Sequence, residues 1–213
     1  MNTHRAMIER NSREQALPSG TLALTFYPVP ASEGIINPAS LPFQELYAIS
    51  QSLGMHGNDR PTFHGWQREG TRGDLCRLSR SGILDSFHKS APSSISGRNI
   101  PDIWLGAYLS RNIAKGTSQL AEWTGIRSFF VCFSYLNIPG WTLGGNRMGD
   151  LPTVIEQNLE FTPLFIEATE ADPRKTVRGW MDQVCQACGA QRCDMYDEHG
   201  EPEESKWQGV QWR

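Results

Sequence analysis

Near its C-terminal end the chain carries CQACGAQRC, in which Cys185, Cys188 and Cys193 stand at x2 and x4 spacing, with His199 six residues further on. Three thiols and an imidazole could supply the four ligands of a tetrahedral zinc site, and paired thiols could also exchange electrons. Against that chemistry stands the local pattern. Val177, Trp180, Met181, Val184 and Cys188 recur at helical spacing, so the first two cysteines fall on or beside the apolar stripe of a helix. Cysteine buries as readily as any small apolar residue. Structural thiols are therefore the leading reading, and a zinc-binding or thiol-dependent enzyme built on Cys185, Cys188, Cys193 and His199 is the alternative.

Two further cysteines, Cys76 and Cys132, could each pair with a histidine (His56, His64 or His88) for nucleophilic catalysis. Neither lies in a recognisable local signature, and Cys132 sits among Phe129, Phe130 and Phe133, a core-like setting. Residues 140–150, GWTLGGNRMGD, have the glycines of a phosphate loop but lack its lysine and its strand-to-helix context. They read as a loop between strands. No catalytic constellation emerges, and no cofactor is expected.

The carboxylates are unevenly placed. Residues 148–213 hold 13 Asp/Glu against 6 Lys/Arg, whereas residues 1–147 hold 10 against 14. Within that acidic third, Asp194, Asp197, Glu198, Glu201, Glu203 and Glu204 follow the cysteines closely. Such a surface repels nucleic acid and suits a basic partner. Seven tryptophans are more than a core of this size needs, which makes Trp66 and Trp141, in aromatic-rich loops, candidate contact anchors together with Arg68.

The elements that must position these groups follow from periodicity. Thr21–Val29 alternates and reads as a strand, and Ser40 can cap a helix from Leu41 to about Leu53. Phe63–Phe87 reads as an aromatic turn followed by a short helix with Leu75, Leu78 and Ile83 on its apolar side. Asp102–Ser110, Ser118–Thr124 and Arg127–Leu136 have strand-like composition, with short glycine-containing linkers that suit hairpins. Leu159–Glu170 is a further strand whose Pro163 points to an edge or a bulge. Asp172 and Pro173 open a late helix that Gly189 closes. The predicted fold class is α+β: an antiparallel sheet of about four to five strands with helices packed mainly on one face. The predicted organisation is a flexible arm at residues 1–20, one α+β domain at 21–193 and an acidic tail at 194–213. No apolar segment resembles a signal peptide or approaches the length of a membrane span, and five unevenly spaced cysteines suit reduced thiols. The expectation is a cytoplasmic protein without membrane contact.

The first strand and helix, then FHGWQREGTR (Phe63–Arg72), then Trp104 and Gly106 on a central strand, and a closing helix bearing Trp180 form a pattern. It resembles immunity proteins of bacterial polymorphic-toxin and type VI secretion systems. The likeness is greatest to the Imm-type family paired with restriction-endonuclease-fold nuclease toxins. That resemblance implies a protein that binds a cognate, basic nuclease toxin in the cytoplasm and neutralises it without catalysis or direct nucleic-acid contact.

Overall fold

In the computed structural model the residues described are 8–9, 19–30, 35–42, 44–46, 57–70, 74–89, 99–144, 153–168 and 172–207. Strand β1 (Thr21–Pro28) forms as its alternation predicts, and it lies between two antiparallel neighbours, β5 (Leu84–Lys89) and β7 (Ser128–Leu136). Leu22, Leu24 and Phe26 join the main core, while Ala23 lies on the opposite face with Leu75, Phe87, Leu136 and Ile8. Both faces are thus partly covered, which makes the burial along β1 nearly continuous.

The α+β expectation holds, but the sheet is larger than predicted. Among the described residues eight strands pair antiparallel, in the order β10 (Leu164–Glu167), β7, β1, β5, β4 (Leu75–Ser79), β3 (Gly65–Gly70) and β2 (Gly57–Thr62), with β9 (Asn158–Glu160) also on β7. The difference lies in Phe63–Phe87, which forms no helix. β2 (Gly57–Thr62) and β3 (Gly65–Gly70) make a hairpin, followed by β4 (Leu75–Ser79) and β5 (Leu84–Lys89). Period-two burial explains this outcome. Cys76, Leu78 and Leu84 point to the main core while Leu75 and Phe87 point to the other. Gly82, at φ +76°, makes the turn between them.

A second correction concerns Asp102–Ser110 and Ser118–Thr124, expected as strands. Together with the residues between them they form one 23-residue helix, α1 (Asp102–Thr124). Trp104 and Gly106 are therefore helical. Leu105, Leu109, Ile113 and Leu120 supply the buried stripe at helical spacing. Of the two linker glycines read as turn signals, Gly125 follows the helix at φ +72°, whereas Gly116 is a close-packing position, where a Cβ would lie 2.6 Å from Cζ of Phe26. Gly106, expected within a strand, is also packed closely: a Cβ there would lie 3.2 Å from both Met195 and Trp207. β6 (Asn99–Pro101) leads into α1 and pairs parallel with β8 (Thr142–Gly144).

β7 (Ser128–Leu136) is the expected strand. The segment containing Pro163 divides into β9 (Asn158–Glu160) and β10 (Leu164–Glu167), and β10 stands at the sheet edge. The late helix is also divided, at Val177, into α2 (Pro173–Thr176) and α3 (Arg178–Ala187). Asp172 caps α2 by accepting the Arg174 N–H at 3.0 Å, and Gly189 follows α3 at φ +76°. The helix expected from Leu41 is seen at residues 44–46, with Leu46 N–H bonded to the Pro42 carbonyl, after a 3-10 turn (Pro38–Ser40) capped by Asn37. The remainder of that expected helix, and most of the arm at 1–20, lie outside the described residues.

Candidate functional site

The three residues expected as surface anchors are all in the interior. Trp66, on β3 opposite Leu78, is 5% exposed, and Trp141 is 2% exposed. The Trp141 ring meets Tyr135 edge-on at 5.8 Å and closes over Gly20, where an added Cβ would lie 2.2 Å from it. Arg68, 1% exposed, follows Trp66 on the same face of β3 and forms a bidentate ion pair with Asp59 on β2, its Nε donating to Asp59 Oδ1 at 2.6 Å. These side chains hold the sheet together and present nothing to a partner. An aromatic residue in an interior strand contributes more by burial than it would in a loop, and the strand β3 was not recognised as such.

The acidic segment from Asp194 is not a detached tail. Through residue 207 it folds back on the core: Cys193, Met195, Tyr196 and Trp207 all belong to the main cluster, and α4 (Glu204–Trp207) ends on Trp207. Trp207 Nε1 donates to the Met195 carbonyl at 3.1 Å, and the Tyr196 hydroxyl donates to the Arg174 carbonyl at 2.7 Å. Asp197 organises the turn between them. Its Oδ1 accepts the N–H groups of Glu201 and His199, and these bonds hold its carboxyl below the usual carboxylate range.

The other five acids keep carboxylates at or near the surface with cations beside most of them. Glu201 meets Lys175, Glu204 meets Arg174 at 2.8 Å, and Lys206 lies 3.1 Å from Glu203 and 3.9 Å from Asp194. Among the described residues, Glu198 has His199 within ion-pair distance, at 3.5 Å. Arg174 is the hub. It also holds Asp172, whose carboxyl the arginine keeps below its ordinary range, and it lies 5.8 Å from the centre of the Trp207 ring.

The cysteine chemistry finds no matching geometry. All five cysteines are buried thiols outside any disulfide. Cys185 lies on the inner face of α3, and Cys188 and Cys193 lie in the main core, whereas His199 is highly exposed. Among the described residues no three His, Cys, Asp or Glu side chains are grouped as a metal site requires. Burial pushes the Cys76 thiol far above its ordinary value and that of Cys132 up to about 11, so neither is a thiolate nucleophile near neutral pH. Of the histidines named with them, His64 is exposed at the β2–β3 turn against Phe63, and His56 lies outside the described residues.

His88 is the exception that draws neighbours together. Its Nδ1 lies 3.3 Å from Asp74 Oδ1, and its ring stacks on Tyr108, which in turn stacks on Trp104. Ser86 shares this face of β5 and approaches the Tyr108 hydroxyl. Ser86 Oγ, Tyr108 Oη, His88 Nδ1 and Asn112 Oδ1 are buried without full hydrogen-bond geometry to a partner among the described residues. The sequence reading missed this group, although Asp74/Cys76 and Ser86/His88 at period two would have placed the four side chains on one face. The arrangement orients an imidazole beneath α1 with the Asp74 carboxyl at its Nδ1.

Comparison with protein-family models, with curated proteins and with solved structures found no match for this chain. Among the described residues no helix is long and apolar enough to cross a membrane.

Proposed function

We propose that this chain is a binding protein of the immunity type, which neutralises a basic partner, a secreted nuclease toxin, by direct contact and without chemistry of its own. The observation that carries the reading is the C-terminal segment. Met195, Tyr196 and Trp207 are sunk in the core while the carboxylates of Asp194, Glu198, Glu201 and Glu204 stay at the surface. A surface already ordered loses less entropy on association than a mobile tail would. Residues 172–207 carry eight Asp/Glu against five Lys/Arg, so the internal ion pairs leave an excess of negative charge. Nuclease toxins need a basic surface for the phosphate backbone, and an acidic inhibitor can both steer onto that surface and occupy it. With Trp66, Arg68 and Trp141 buried, the contact falls to the acids. The alternative, a zinc- or thiol-dependent enzyme, has less to support it, because its thiols are buried and apart from His199.

Two experiments test the reading. Co-expression with the product of the adjacent reading frame should relieve that product's toxicity; a harmless neighbour, or a failure to rescue growth, removes the toxin. Replacing Glu198→Lys with Glu201→Lys should slow association with the basic partner on the order of tenfold at low salt, with the difference fading as salt screens it. An on-rate that is unchanged at low salt would show that the acids are solvated surface only.

A further inference from the structure

The two edges of the main sheet are built differently. β2 at one edge carries Asn58, Asp59, Arg60 and Pro61, charged and imino residues of the kind that discourage strand addition. β10 at the other edge reads Leu-Phe-Ile-Glu. There Phe165 is 54% exposed and Phe130, its partner on β7, is 45% exposed, the rings meeting edge-on at 5.3 Å. Tyr27 on β1 continues the same row as the cross-strand neighbour of Phe130.

Register shows which backbone groups this edge offers. Ala168 N–H donates to the Arg127 carbonyl at 2.7 Å, and the pairing runs Glu167↔Ser128, Phe165↔Phe130. In an antiparallel ladder the bonded positions alternate, so Ala168, Ile166 and Leu164 bond to β7 while Phe165 and Glu167 direct N–H and C=O outward. Carboxylates prevail along the edge: residues 153–168 contain Glu156, Glu160 and Glu167 and neither Lys nor Arg, and the exposed Arg127, opposite Ala168, is a cation beside them. Ser128 Oγ holds Glu167 by donating to Oε1 at 2.8 Å, and Arg127 stands at the end of the row.

We infer that β10 is a docking edge for an extended segment of a partner protein in which apolar residues alternate with lysine or arginine. The segment adds as a further antiparallel or parallel strand. Its backbone bonds the outward groups of Phe165 and Glu167, its apolar side chains lie on Phe130 and Phe165, and its cations meet the glutamates. A second copy of this chain is the poorer occupant, because two such edges would bring glutamates toward glutamates. The inference does not depend on the partner being a toxin.

The test uses the whole chain and fluorescent peptides that alternate valine with lysine or valine with glutamate. The lysine peptide should bind more tightly than the glutamate peptide by at least about tenfold, like charges being costly across an interface. On binding, the amides of Phe165 and Glu167 should exchange more slowly with solvent. Phe165→Pro removes an outward N–H without touching the ladder to β7 and should abolish binding. Phe165→Lys keeps the backbone intact and should weaken it; this variant decides the matter if the proline variant does not fold. Equal binding of the two peptides, no binding of either, or an affinity indifferent to Phe165→Lys would overturn the inference. So would a dimer in sedimentation equilibrium that Phe165→Lys dissolves, since the occupant would then be a second copy.

Discussion

At Gly116 an added Cβ would lie 2.6 Å from the Phe26 ring, whereas at Gly179 it would meet nothing within 4 Å. Both glycines are helical, so the intrinsic preference favours alanine at each, and only the neighbours differ. Gly179→Ala in α3 should stabilise the protein by about 0.5–1 kcal/mol. Gly116→Ala should instead cost about 1–3 kcal/mol through overpacking against a ring that cannot step aside. Thermal denaturation of the pair, with opposite signs expected, checks the argument. Asp85 provides a second test at this scale. Burial pushes its carboxyl up to about 7, with the Thr25 hydrogen bond and Arg77 acting the other way, and among the described residues Oδ1 has no hydrogen-bond partner. Between about pH 4, where an unfolded aspartate loses its proton, and about pH 7, the folded protein keeps it. The folded state then binds more protons, so the Asp85 contribution to stability falls as pH rises through that window. Asp172 has the opposite sign: its lowered pKa makes its contribution fall as pH drops below the usual carboxylate range. Asp85→Asn should flatten the decline in melting temperature between about pH 4 and about pH 7. A variant whose profile matches the parent's would show that Asp85 is ionised in both states.

Among the elements, α4 is short, and its importance lies in where Trp207 goes. The indole is almost wholly buried, packs at Gly106 of α1 and meets Tyr196 edge-on. Trp207→Ala should cost about 3–5 kcal/mol, the range for removing a large buried aromatic side chain. The same substitution should loosen the turn at Asp197, read as faster amide exchange at Glu201. Helix α1 illustrates how packing reassigns local signals. Its stripe of Leu105, Leu109, Ile113 and Leu120 has helical spacing, but Gly106 and Gly116 and the β-branched Ile103 imitate strands and turns. The helix wins because a sheet with Phe26 and Leu24 on one face needs a long apolar element across it, and glycine lets that element come close. The Asp172 cap and the Gly189 close were readable beforehand, since both depend only on neighbours within a few residues.

For the whole molecule, the acidic end is part of the fold and its negative charge is presented on a fixed scaffold. A chain ended after Cys193 should lose solubility and its cooperative thermal transition, because Met195, Tyr196 and Trp207 leave the core with it; a shortened chain that melted like the parent would restore the picture of a detachable tail. Alternation in β1, the strand-like composition of β7, the cap at Asp172, the edge position that Pro163 suggested and the uneven charge were determined by the sequence alone, since each is a local property or a simple count. The positions of Trp66, Arg68 and Trp141 were not, because a tryptophan suits an interface and a core equally until its neighbours are known. Only the tertiary structure decided that Asp59 would neutralise Arg68 and that β10 would stand at the edge of the sheet opposite β2. Each of those outcomes rests on strands brought together from distant parts of the chain, and the physical reason is burial: which face a side chain lies on is settled by what packs against that face.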